Sequence, residues 1–568
     1  MKSVAEWLLE PVADGGLALC EGSEWAHHPY PVLADESFGA VETLREHGIH
    51  KGDRVALLLP SGAPFVRFFF AAMAMGAVPT VVAPPGLHGS TPYADYVRAL
   101  LCALDPAAVI AEPATLRLLP PAPWGAVAAP ARIDATAPVA AGSATVMDPV
   151  LGDETALIQF TSGSTSTPRA VRLSAGSIVA HIDMLKAALY VRGAHQTESF
   201  GSWLPLHHDM GLIGNFLTPV SHGKDLWLMR PEQFVRRPGL WLELFGKYAV
   251  NHSAAPNFAI ERIVRTVSAK SLAGMNFADW RTLIVGSDRI SLGAMRALYE
   301  LLEPFGFGAD VITPGYGMAE TTLAVSTTRR EPVQALLVDA ASLRAGAPVR
   351  VRATETLREP VQADADVVRV VDCGVPLPGA AVSVADEDGN ALGEDHIGEL
   401  VVESPALFSG YLNDGADGGQ PRRYATGDLG FCRDGRVYVL GRLGNSVKVN
   451  GQFVTAEDLE IALAERLGMP HDKIVVVLRD LGAQTAPAVL IAFQQRLTEE
   501  RTAKALTVLA RSGISAERAA LATVAPLAIP RTTSGKPKRI PLWEAIESGA
   551  VAAKWGHVGS DSPLWGCR

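Results

Sequence analysis

Short apolar runs recur along the chain, separated by amphipathic stretches of helical length and by turn-rich segments. Runs at 54–59 and 107–110 predict buried parallel strands, and the helical patterns between them predict α/β layering. The most hydrophobic stretch, 65–78, is interrupted by Arg67 and Gly76 and closed by Pro79. It falls short of the ~20 residues a membrane span needs, so it predicts a buried helix leading into a strand at 80–82. Strands are predicted at 156–160, 170–173 and 281–285, and helices at 174–189 and from Ser253. From Val368 the period changes: strands at 398–402 and 436–440 between Gly and Asp-Gly turns predict a small β-rich subdomain. Beyond 441–445, a helix from Ala456 and strands at 473–478 and 488–493 predict a compact α+β module. Residues 120–150 read as a loop-rich connection, and 330–366, rich in Ala, Val and Arg, show no assignable period.

Composition narrows this picture. A chain of 568 residues exceeds one ordinary core, so two or more domains are expected. With 48% hydrophobic and 19% charged residues it is globular. A net charge of −10 leaves no footprint of nucleic-acid binding, although a local positive site could still take an anion. The five cysteines are scattered and odd in number, without a C-x-x-C pair. They point to reduced thiols in a cytoplasmic protein, not a disulfide frame or zinc site. The N-terminus carries acids and no long apolar segment, so no signal peptide is expected.

Several polar stretches carry candidate chemistry. Thr161, Ser162, Gly163, Ser164, Thr165, Ser166, Thr167, Pro168 and Arg169 join two predicted strands. Such a loop can fold into a nest of N–H donors for an oxyanion, with hydroxyls and Arg169 adding to it, and a polyphosphate is the natural ligand. It can equally be a Ser/Thr-rich surface turn. It is not a Walker A loop, because no Gly-Lys-Ser/Thr follows. His207, His208 and Asp209 interrupt an apolar run; a pocket wall or a satisfied core histidine suits them better than a metal site. Residues 311–322 form a second candidate loop. Gly315 and Gly317 open like a dinucleotide fingerprint, but Glu320 stands where its third glycine would be. That carboxylate could hold Mg²⁺ against phosphate, or favour a helix N-terminus. Asp428, on a predicted tight turn, could accept ribose hydroxyls or stabilise the turn. The basic stretch 529–539 reads as a mobile loop, usually only a solvated face.

Taken together and in order, these stretches resemble the signatures of the adenylate-forming superfamily. They are the hydroxyl loop, His208-Asp-Met-Gly, Tyr316-Gly-Met-Ala-Glu320-Thr321, Thr426-Gly-Asp428, Gly441-Arg442, Lys448-x-x-Gly451 and Ser534-Gly-Lys536. Trp203-Leu-Pro-Leu and Ala255-Pro-Asn-Phe258 look most like fatty acyl-AMP ligases, and 330–366 looks like the insertion those ligases carry. The resemblance implies a large N-terminal domain (1–440) of several subdomains with stacked β-sheets and helices, a hinge at 441–445, and a small mobile α+β domain (446–568) carrying Lys536. It implies ATP and Mg²⁺ as cofactors, a carboxylic acid converted to acyl-adenylate with release of pyrophosphate, and transfer to the phosphopantetheine thiol of an acyl carrier protein.

The resemblance further implies roles. Thr161, Ser162, Gly163, Ser164 and Thr165 cradle pyrophosphate, while Thr165 and Glu320 hold Mg²⁺. Gly286, Ser287 and Asp288 frame the adenine with Tyr316, in a motif continued by Gly317, Met318 and Thr321. Asp428 and Arg442 fix the ribose, His208 walls the acyl tunnel, and Lys536 bridges carboxylate and α-phosphate. Such a reaction between two anions needs preorganised positive charge. Three positions depart from the family pattern: Ser166 for Gly, Arg169 for Lys and Asn445 for Asp. Rival expectations are an acyl-CoA synthetase, an amino-acid adenylating enzyme (less favoured, for want of an acid in stretches such as 255–258), and a catalytically silent nucleotide-binding homologue.

Overall fold

The structure, a computed structural model, describes residues 3–567 except 12–14, 23, 87–91, 127–129, 140–146, 162–167, 190–197, 363, 365, 414–419, 450–451, 481–486 and 533–535. The predicted layering is present. A six-stranded sheet runs in the order Ala131–Asp134, Ala108–Ala111, Arg54–Leu58, Val78–Val81, Thr155–Phe160, Ala170–Ser174, and only the last strand is antiparallel to its neighbour. Its central strands Ala108–Ala111, Arg54–Leu58 and Val78–Val81 are buried almost throughout because both faces are covered. Val55 and Leu57 point into one core cluster, Ala56 and Leu58 into another. The helix Ala63–Ala74 crosses over between two of these strands; its Phe65 and Phe69 stack on each other and meet Phe216 edge-on, and Phe70 is tilted against Phe216.

A nine-stranded sheet packs beside it. Its central strands Asp225–Leu228, Ser199–Ser202, His252–Ala255, Thr282–Val285 and Ile312–Gly317 are parallel. In such sheets the segments leaving the C-terminal strand ends collect on one side, where ligand crevices form. That side carries the candidate residues.

Four expectations from sequence change here. Residues 330–366 are not without structure: Gln334–Asp339 pairs antiparallel with Val351–Thr356 and with Val367–Val371. One register shift at Leu337/Val338 and the unbroken burial of Ala335 to Val338 hide the period of two. Residues 311–322 are not a loop, because Gly315 and Gly317 lie within the strand Ile312–Gly317. A Cβ on Gly317 would come 1.9 Å from the Leu323 carbonyl oxygen, so this glycine serves the close hairpin with Ala324–Thr327 rather than a dinucleotide. Asp428 sits inside the strand Tyr424–Arg433, not on a tight turn, and faces Arg442 in register. The helix expected from Ser253 begins only at Asn257, because His252–Ala255 is a strand of the nine-stranded sheet.

The tail forms a four-stranded sheet in the order Ile474–Arg479, Ala488–Phe493, Ala519–Val524, Ala553–Val558. Ile474, Val476 and Leu478 face helices Ala456–Leu467 and Glu499–Arg511, while Val475 and Val477 face Trp543 and Leu542. This tail is docked on the rest of the chain. Arg289 Nη2 lies 2.7 Å from Asp458, Arg265 pairs with Asp472 at 3.3 Å, and the Phe453 N–H donates to the Leu343 carbonyl at 2.9 Å. Among the described residues no helix is long and apolar enough to cross a membrane.

Candidate active site

One cavity of ≈ 990 Å³ opens where the strand ends meet the tail. Each wall follows from a strand. Thr161 follows Thr155–Phe160, His208 follows Ser199–Ser202, and Asn257 follows His252–Ala255. Gly286, Ser287 and Asp288 follow Thr282–Val285, while Met318 and Glu320 follow Ile312–Gly317. Tyr316 and Gly317 line it from within their strand, Asp428 and Arg442 from the paired strands Tyr424–Arg433 and Arg436–Arg442 of a five-stranded sheet, and Lys536 from the tail. Thr321 does not line it: buried, its hydroxyl donates to the Met318 and Leu323 carbonyls and so shapes the turn that presents Glu320. Ser162, Gly163, Ser164 and Thr165, with Ser166, lie outside the described residues.

At one end a carboxylate is clamped. The Tyr316 hydroxyl donates to Asp428 Oδ2 at 2.8 Å, and Arg442 Nε lies 2.9 Å from Oδ1. Burial pushes the Asp428 carboxyl above the usual carboxylate range, and Arg442 and Tyr316 pull it part of the way back. Burial, with the Asp428 charge beside it, holds Tyr316 firmly protonated as a donor.

In the middle, His208 Nδ1 sits 2.7 Å from Asp209 Oδ1, and its Nε2 is 3.5 Å from the Ser287 hydroxyl. Burial opposes the Asp209 charge, but His208 and the Met210 N–H outweigh it and hold the carboxyl below its usual range. Asp209 is thus an acid on the cavity wall, as the sequence reading of this stretch expected, already engaged by its neighbour. His207, His208 and Asp209 all line the cavity.

Lys536 reaches this region from 248 positions away: Nζ donates to the Ser287 carbonyl and lies 3.2 Å from Asp288 Oδ1. Ser287 takes a left-handed backbone, φ 75°, a conformation that costs ~1–2 kcal/mol in a non-glycine residue and gathers at functional sites. The basic stretch is therefore not merely a solvated face. The Thr532 N–H donates to the Lys536 carbonyl at 2.7 Å and the Lys536 N–H to the Thr532 hydroxyl at 3.0 Å, which ties the lysine's backbone to Thr532. Asn445, in the turn Leu443–Asn445, donates to Glu457 Oε1 at 3.1 Å, a bond that a carboxylate at that position could not make. Lys448 pairs instead with Glu387, outside the cavity.

At the other end, Glu320 accepts from the Tyr411 hydroxyl at 2.7 Å, and the Arg169 guanidinium lies over the Tyr411 ring at 3.3 Å. The sequence reading singled out neither Tyr411 nor Arg289; the only local mark on Tyr411 is the left-handed Gly410 before it, φ 91°. Leu185, Leu189, Met210, Ile284 and Leu323 supply an apolar wall.

The profile of the AMP-binding enzyme family matches residues 17–412. A Caulobacter vibrioides protein carrying the name acyl-CoA synthetase is 29% identical over 545 residues, 90% of this chain and 89% of that protein. The medium-chain-fatty-acid–[acyl-carrier-protein] ligase JamA of Moorena producens is 28% identical over 447 residues, 76% of this chain and 74% of its own length. A solved structure from work on fatty acyl-adenylate ligases of E. coli and L. pneumophila superposes with a TM-score of 0.82 at 25% identity, covering 97% of this chain and 98% of that one. The chain belongs to the AMP-binding enzyme family, and it is an adenylate-forming ligase whose relatives and structural neighbours include fatty acyl-AMP ligases.

Proposed function

We propose that the chain activates a fatty acid with ATP, releasing pyrophosphate, and passes the acyl group to the phosphopantetheine thiol of an acyl carrier protein. One observation carries this reading. A single cavity joins an apolar wall to a clamped carboxylate (Asp428) and to three cations from distant parts of the chain, Arg169, Arg442 and Lys536.

Asp428, braced by Tyr316 and Arg442, receives the ribose hydroxyls. Gly286, Ser287 and Asp288 frame the adenine with Tyr316. The loop at 161–165 and Arg169 hold the departing pyrophosphate. Glu320 suits Mg²⁺, which takes one or two carboxylates together with phosphate oxygens and waters rather than an all-protein cage. Magnesium there would neutralise charge on the phosphate oxygens, with Thr165 as second ligand. His208, oriented by Asp209, walls the acyl tunnel beside the substrate carboxylate. Lys536 leaves Asp288 and places its ammonium between that carboxylate and the α-phosphate, where negative charge builds as the new bond forms. Residues 441–445 are the hinge between the large domain and the mobile one.

The name carried by the Caulobacter relative supports a second acceptor, coenzyme A. A panel of straight-chain acids assayed for pyrophosphate release, with free coenzyme A or with a phosphopantetheinylated carrier, separates the two. Rapid formation of the coenzyme A ester overturns the carrier assignment. Nucleotide binding without turnover on any acid rejects catalysis.

A further inference from the structure

Tyr411 has no part in the roles above, yet it touches both charged groups at the phosphate end of the cavity. Its backbone is tied to the strand that follows the hydroxyl loop. Tyr411 forms a bridge with Val171, the Arg172 N–H donates to the Gly410 carbonyl, and the Leu412 N–H donates to the Ala170 carbonyl. The same segment grips the Glu320 turn twice, through the Phe408 N–H on the Glu320 carbonyl at 2.9 Å and the Tyr411 hydroxyl on Oε1 at 2.7 Å. The Tyr411 ring is 8% exposed and is fixed edge-on by Phe408, and its hydroxyl stands 3.2 Å from that of Tyr424.

Two different parts of one side chain therefore hold opposite charges. The π face carries the Arg169 guanidinium, and the hydroxyl in the ring plane carries the Glu320 carboxylate. A cation and a carboxylate sharing a cavity attract each other, and direct pairing would spend both. A rigid ring with separate footholds sets their spacing. A planar guanidinium stacks on the face, which a hydrated ammonium does less well. The arginine at 169 and the tyrosine at 411 thus form a matched pair.

We infer that Tyr411 is a positioning residue of the adenylating reaction, holding Arg169 and Glu320 at the spacing that lets both meet one pyrophosphate group and its Mg²⁺. The inference rests on the proposed metal- and phosphate-holding roles of Glu320 and Arg169.

The test uses the full chain and isothermal calorimetry of ATP binding across a Mg²⁺ titration, with kcat and KM measured alongside. Tyr411→Phe keeps the stacked ring and removes the hydroxyl. We expect it to raise the Mg²⁺ concentration for half-maximal ATP binding about tenfold, the lower end for partners that orient a metal ligand. Magnesium-free ATP affinity stays within about twofold, and saturating Mg²⁺ restores kcat. Tyr411→Leu loses the stack as well, and Mg²⁺ does not rescue it. Glu320→Gln serves as control. If it shifts the Mg²⁺ dependence and Tyr411→Phe does not, the positioning role is wrong while the site assignment stands. If neither variant shifts it, the assignment of Glu320 fails and the inference falls with it.

Discussion

Lys536→Met tests the proposed chemistry most directly, because it removes a charge while keeping most of the side-chain volume. Two losses must be compared. In the resting structure Nζ lies 3.2 Å from Asp288 Oδ1, with both side chains 33% exposed. An ion pair that accessible contributes about 0–1 kcal/mol after solvent screening. Its loss leaves the fold intact and moves Tm by at most a few degrees. In the transition state the same ammonium would face charge developing between two anions. Removing one preorganised donor there costs about 2.7–4 kcal/mol, roughly 10²–10³ in kcat. The expected result is therefore lopsided: carboxylate-dependent pyrophosphate release at saturating ATP falls at least about a hundredfold. ATP affinity by calorimetry stays within about threefold, equivalent to the weak resting pair. Retention of more than about a tenth of kcat would refute the assignment. Loss of ATP binding larger than the loss of rate would show that Lys536 binds nucleotide rather than serving the chemical step.

Three further outcomes follow from the geometry. Since burial raises the Asp428 carboxyl above its usual range, ATP affinity should hold at neutral pH and fall on acidification sooner than an exposed aspartate would allow. Asp428→Asn should flatten that limb and weaken ATP binding about tenfold, the worth of a hydrogen bond to a charged group; an unchanged acid limb refutes the role. Asn445→Asp replaces an amide donor by a carboxylate against Glu457, although Arg539 also pairs with Glu457. Thermal stability near pH 7 should drop by about 1 kcal/mol and recover as the pH falls below ~4; equal melting of the two proteins contradicts the contact. His181, fully buried and accepting the Ala324 N–H, has its pKa pushed down to about 3 by burial. Its neutral form is the stable one, so its contribution is complete above about pH 6.5 and declines as pH falls toward the folded value, by roughly 1.4 kcal/mol per pH unit. His181→Phe should lessen that acid sensitivity in denaturant melts, and a variant equally acid-sensitive would contradict it.

Local chemistry was legible in the sequence where it was local. Runs such as 54–59 and 488–493 are apolar without alternation because sheets cover them on both faces, and their character survives without context. The strand-end placement of His208 and Gly286 could be read from the polar and small residues that break each run. What could not be read depends on partners far along the chain. Asp428 looks like a turn residue until its strand neighbour Arg442 and its cross-sheet donor Tyr316 are seen together. Tyr411 looks like any buried aromatic, and Arg289 like a surface charge, because their meaning lies in contacts with Glu320 and Asp458. The strands of 330–366 were missed because their two faces meet unlike surroundings: Leu336 and Val338 enter the core, while Arg350 and Arg352 answer Asp339 at the rim.

The fastening of the tail has a kinetic corollary. Arg265–Asp472, Arg289–Asp458 and Lys536–Asp288 anchor it to the stretch 265–289, and Lys448–Glu387 with the Phe453–Leu343 bond secure its root elsewhere. Several weak pairs of opposite charge must part together for the tail to move, so excursions should be hastened by salt. Protease cleavage at the 441–445 connection, followed against ionic strength, would report how often these pairs release together.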